Sequence, residues 1–139
     1  MRALISSVVL VAATGALVAC GGDDTTADGG SGSTSGSAAT ATAVRELAET
    51  RDALRAALAA YRQGDHAAAE EQVSEAYVSH FEEVEGPLEV KDPELKERLE
   101  ESISTELRRA MRSKAPAAEV TAAVQEVVAD LTKAEAMLR

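Results

Sequence analysis

The sequence has no tryptophan, one phenylalanine and two tyrosines, so it offers almost no stacking surface for bases. Basic charge is short as well: 14 Lys and Arg stand against 24 Asp and Glu, a net charge of −10. Both shortages argue against a nucleic-acid partner, which needs a basic footprint. A single cysteine excludes a disulfide within the chain, so the fold must stand on packing alone. Only three prolines, at positions 87, 93 and 116, interrupt the latter part of the chain. No period-two alternation is sustained, so no strand is expected. No glycine-rich phosphate loop, nucleophile elbow or free thiol nucleophile is present, and the chain is read as non-enzymatic.

What is present begins with an address. Met1-Arg2 is a short basic start, and Ala3 to Ala16 is an uncharged apolar run. That run is too short to span a bilayer, which takes about 20 residues, but it suits a secretory signal. Leu17-Val18-Ala19-Cys20 then resembles a bacterial lipoprotein box, which implies cleavage before Cys20 and acylation of that residue, palmitate included. Two or more acyl chains give stable anchoring. The expectation is a signal peptide over 1–19 and a protein tethered to the extracytoplasmic face of a bacterial membrane. Residues 20–39, GGDDTTADGGSGSTSGSAA after the cysteine, hold no large apolar side chain. They are read as a flexible linker with a reach of roughly 25 Å.

Helical periodicity starts at Thr40. Val44, Leu47, Leu54, Leu58 and Tyr61 share one stripe, with Arg51 in the gap, and Gly64 is placed to end the helix. Asp65 caps a second helix with Ala69, Val73, Ala76/Tyr77, His80/Phe81 and Val84 inward, which Gly86-Pro87 is expected to terminate. Asp92-Pro93 starts a third, with Leu95, Leu99, Ile103, Leu107 and Ala110/Met111. Pro116 starts a fourth, with Val120, Val124, Val127, Leu131, Ala134 and Leu138. Four helices of about 20 residues, with connections of about three to seven, predict an all-α fold over 40–139. The simplest arrangement is an antiparallel up-down-up-down four-helix bundle.

The chemistry concentrates in the second and third helices. Residues 70–101 contain twelve carboxylates against Lys91, Lys96 and Arg98, a field that attracts cations and basic partners or simply solvates one face. His80 falls at the edge of the core stripe. It suits a metal ligand completed by carboxylates, or a packing residue hydrogen-bonded to a nearby Glu. A ferritin-like di-iron centre is excluded, because the required Glu three residues before His is Tyr77 for His80 and Gln63 for His66. His66 is expected to be exposed, with Glu70 within reach. Arg45-Glu46-Leu47-Ala48-Glu49 reads R-E-x-x-E, a pattern that iron permeases use within membrane helices. In a soluble helix rich in Glu and Arg it is read as coincidence.

Taken in order, Tyr61-Arg-Gln-Gly-Asp65, Glu75-Ala-Tyr77, His80-Phe81-Glu82, Val84-Glu85-Gly-Pro-Leu88 and Asp92-Pro-Glu-Leu95 resemble a known family. They look like the extracytoplasmic helical domain attached to some bacterial high-affinity iron permeases. The permease part itself is missing from this sequence. The resemblance implies a stand-alone accessory module that captures iron or another cation, with a permease or another protein as partner. The positions it points to are Tyr77, His80, Glu82 and Glu85, with Glu100 or Glu101 from the third helix. The alternative is an interaction lipoprotein whose acidic bundle docks a protein partner without metal.

Overall fold

The computed structural model describes residues 33–139. The expected signal segment 1–19, Cys20 and most of the linker lie outside the described residues. Those described form four helices and no strand. Helix α1 runs Ser33–Arg62. Helix α2, residues 66–91, is continuous through His66–Ala76, a π-helical turn at Tyr77–Phe81, and Glu82–Lys91. Helix α3, residues 93–112, likewise joins Pro93–Glu101, a π-helical turn at Ser102–Leu107, and Arg108–Arg112. Helix α4 is Ala117–Leu138. Among the described residues, no helix is long and apolar enough to cross a membrane.

The described residues are already helical at Ser33, ahead of the Thr40 at which apolar periodicity begins. From Thr40 onward the first buried residue of α1 is Ala43. The preceding turns extend a helix whose costly nucleation is met by packing further along.

A larger departure concerns Gly86-Pro87, which does not end α2: the helix continues to Lys91. Pro removes one ladder hydrogen bond, but its clash with the preceding residue depends partly on that residue's Cβ. Gly86 has none. Val84 and Leu88, both fully buried, anchor the helix on either side of the proline. At Asp92-Pro93 the preceding residue does carry a Cβ. There the chain leaves the helical conformation, and the Asp92 carboxylate accepts from Leu95 N–H at 3.0 Å. The α2–α3 connection is therefore the single residue Asp92, shorter than the spacing of the prolines led one to expect.

The two π turns have a cause in the apolar pattern. Ala76 and Phe81 are both fully buried, yet five residues apart. In an α-helix that step rotates a side chain by about 140°. The wider turn, closed by Glu82 N–H donating to the Tyr77 carbonyl, brings the two back to one face. In α3 the buried residues Leu95, Leu99, Ile103, Leu107 and Met111 recur at steps of four. Four such steps drift by about 160° on an ideal helix, and the Ser102–Leu107 turn absorbs the drift.

Helix α1 packs on α2 and α4, α2 on α3, and α3 on α4, with the last part of α2 also touching α4. The stripes read from the sequence enclose one core that includes Leu47, Leu54, Phe81, Leu99, Ile103 and Leu131. Val44 is only partly buried at its edge. Polar links tie the helices together. Arg62 donates to Thr121 at 3.0 Å, Arg51 to Glu135 at 2.8 Å, Arg98 to Asp130 at 2.8 Å, and Arg108 to Glu70 at 2.9 Å.

Helices α1 and α3 end in the same way. Asp65 N–H donates to the Ala60 carbonyl and Ala115 N–H to the Ala110 carbonyl, the six-to-one bonds of a Schellman motif. The left-handed position is Gly64 (φ 88°) in one and Lys114 (φ 56°) in the other.

Candidate functional site

His80 sits in the π turn of α2, half-buried against α1. Its Nδ1 lies 2.9 Å from Glu46 Oε2. The other oxygen of Glu46 accepts from Arg45 Nη2 at 2.6 Å and Nε at 3.1 Å. Glu46 is 8 % exposed, one of two polar residues buried with the core among the described residues. The second is Thr50, whose hydroxyl donates to the Glu46 carbonyl at 2.8 Å. The hydrogen bond from His80, and then that from Arg45, hold the Glu46 carboxyl below its ordinary value. Beside His80 a shallow groove between α1 and α2 is walled by Ala53, Ala56 and Ala76, with Gln72 and Glu75 on the α2 side.

Tyr77 belongs to a different face. Its hydroxyl donates to Glu85 Oε1 at 2.8 Å. Burial first, and then that hydrogen bond, push the phenol well above its ordinary value, with the charges of Glu85, Glu100 and Glu82 adding to the effect. Across from it, Lys96 Nζ is 2.9 Å from Glu100 Oε2 and 3.7 Å from Glu89 Oε2. Glu100 accordingly raises the Lys96 ammonium above its usual value.

The six positions suggested by the resemblance are thus divided. Tyr77 and Glu85 are bonded, with Glu100 nearby, while His80 turns to α1. Glu82 and Glu101 are exposed. Among the described residues, no three His, Cys, Asp or Glu side chains come together as a metal-ligand group. His80 does have a Glu partner, and it comes from α1. That residue, Glu46, is the first Glu of the R-E-x-x-E pattern read as coincidence. Its signal was an acidic residue one place before Leu47 on the buried stripe.

His66 also differs from expectation. It is half-buried, with its ring 4.4 Å from that of Tyr61, because the tight Gly64-Asp65 turn folds the two helix ends together. Glu70 pairs with Arg108 instead. Comparison of the chain with protein-family models, with curated proteins and with solved structures found no match.

Proposed function

We propose that this chain is a lipid-anchored extracytoplasmic lipoprotein, tethered through Cys20, that serves as a non-enzymatic binding module. Its ligand is iron or another cation, captured for an uptake system of the iron-permease kind. The helical domain is read as an up-down-up-down four-helix bundle. Support comes from contacts that run from α1 to α2, α3, α4 and back to α1, and from short connections.

The observation that carries the binding reading is the His80–Glu46 pair. A carboxylate on Nδ1 keeps the proton of the neutral ring there and leaves the Nε2 lone pair as a donor, the arrangement common behind metal-bound histidines. The carboxylate-rich stretch from Glu70 to Glu101 raises the local concentration of cations. The test is calorimetric titration of the full chain in neutral detergent with ferric, ferrous, cupric and zinc ions at near-physiological salt. Saturable binding that weakens at least tenfold in His80→Ala is expected. Absence of saturable binding, or indifference to that substitution, rejects the reading.

A second reading rests on Val78 and Val90, 57 % and 84 % exposed on α2 among the same carboxylates. Apolar contacts ringed by acid suit a basic protein partner, and binding of such a partner unaffected by His80→Ala and by metal would favour it.

A further inference from the structure

The corner where α1 ends, α2 begins and α3 ends is unlike the rest of this acidic chain. A pocket of about 240 Å³ opens there between His66, Ala67 and Glu70 of α2, Met111 and Arg112 of α3, and Lys114 of the following turn. Its one carboxylate is already opposed: Glu70 Oε1 accepts from Arg108 Nε at 2.9 Å and lies 3.9 Å from Arg112 Nη2. The Lys114 ammonium takes part in none of the ion pairs among the described residues. One guanidinium, Arg112, and one ammonium, Lys114, thus line a pocket whose single carboxylate is already paired with Arg108 outside it.

Two further observations converge on this pocket. His66, on the pocket wall, has its Nδ1 turned into the protein without a hydrogen-bond partner there. Lys114 is the one described residue other than glycine with a positive φ. The equivalent position of α1 is occupied by Gly64, which adopts that conformation without steric cost. Lys114 thus stands where glycine fits better, with its ammonium outside the ion pairs of the described residues.

We propose that this pocket is an oxyanion site that takes a phosphate group, with Lys114 and Arg112 supplying the charge. The phosphate is either free or part of a phospholipid headgroup. The site is separate from the His80 pair and does not depend on the cation reading.

Lys114→Gly removes the ammonium while relieving the backbone, so a loss of binding cannot be ascribed to unfolding. The full chain in neutral detergent is titrated by calorimetry with inorganic phosphate. It is also titrated with dihexanoyl phosphatidylglycerol below its micelle concentration. Expected are saturable binding of at least one probe, a fivefold or greater loss of affinity in Lys114→Gly and in Arg112→Gln, and a raised melting temperature for Lys114→Gly. Binding of inorganic phosphate identifies a free oxyanion as sufficient, and binding of the lipid probe alone identifies the headgroup. If neither probe saturates, or if both variants bind as the parent does, the proposal is overturned.

Discussion

His80 of α2 and Glu46 of α1 meet at 2.9 Å, and the carboxylate between His80 and Arg45 is buried with the core. Removing its charge is expected to cost about 1.5–3 kcal/mol at neutral pH, the usual scale for hydrogen bonds to charged groups. The carboxyl titrates below its ordinary 4.5 in the folded protein. Its contribution is therefore complete above that value and is lost as pH falls through the lowered one. Glu46→Gln should flatten the acid limb of stability against pH, as read by urea denaturation between pH 3 and pH 7. An unchanged acid limb would show the pair to be energetically idle.

Tyr77 gives a prediction of opposite sign. Burial and the Glu85 hydrogen bond favour its protonated phenol. This contribution is complete below the ordinary tyrosine value of about 10 and fades as pH rises through the raised one. Ultraviolet titration of phenolate, with Tyr77→Phe to assign the signal, should show Tyr77 ionising late. In Glu85→Gln it should ionise earlier while remaining above the ordinary value, because burial persists. Coincidence with a free tyrosine in the parent protein would contradict the geometry.

The π turn in α2 predicts an unusual tolerance. Deleting the exposed Val78 brings Ala76 and Phe81 to a spacing of four, which an ordinary α-helix places on one face. The deletion is expected to change stability by no more than about 1 kcal/mol. Deleting Gln125, exposed on α4 where no such turn exists, rotates Val127, Leu131, Ala134 and Leu138 off the core. That change should cost more than about 3 kcal/mol. Denaturation midpoints of the two deletions separate these outcomes.

The helical stripes were legible because each buried face is written in the sequence at steps of three and four. The π turns were not read from the sequence: the doubled positions Ala76/Tyr77 and His80/Phe81 fit ordinary steps of four, as do the buried residues of α3. A step of five depends on which member of each pair is buried, which packing decides. Pro87 misled because a proline's effect depends on its neighbour's Cβ and on anchors such as Leu88. The His80 partner was hidden for another reason. Spacing along one helix suggests Glu83, whereas Glu46 is 34 residues away and reaches His80 only through α1–α2 packing. The pocket at His66 was equally invisible, since it joins the two ends of separate helices.

The lone residue between α2 and α3 bears on the order of folding. A connection of one residue leaves almost no chain to wander before the two helices touch, so the entropy of closing them is near its minimum. Contacts between Glu82–Lys91 and Pro93–Glu101 are also among the shortest in sequence separation that the core contains. Low separation favours early formation. By that argument the elbow around Asp92 is expected to form before α4 closes on it, which φ-values at Leu88 and Leu95 against those at Val124 and Leu131 would check.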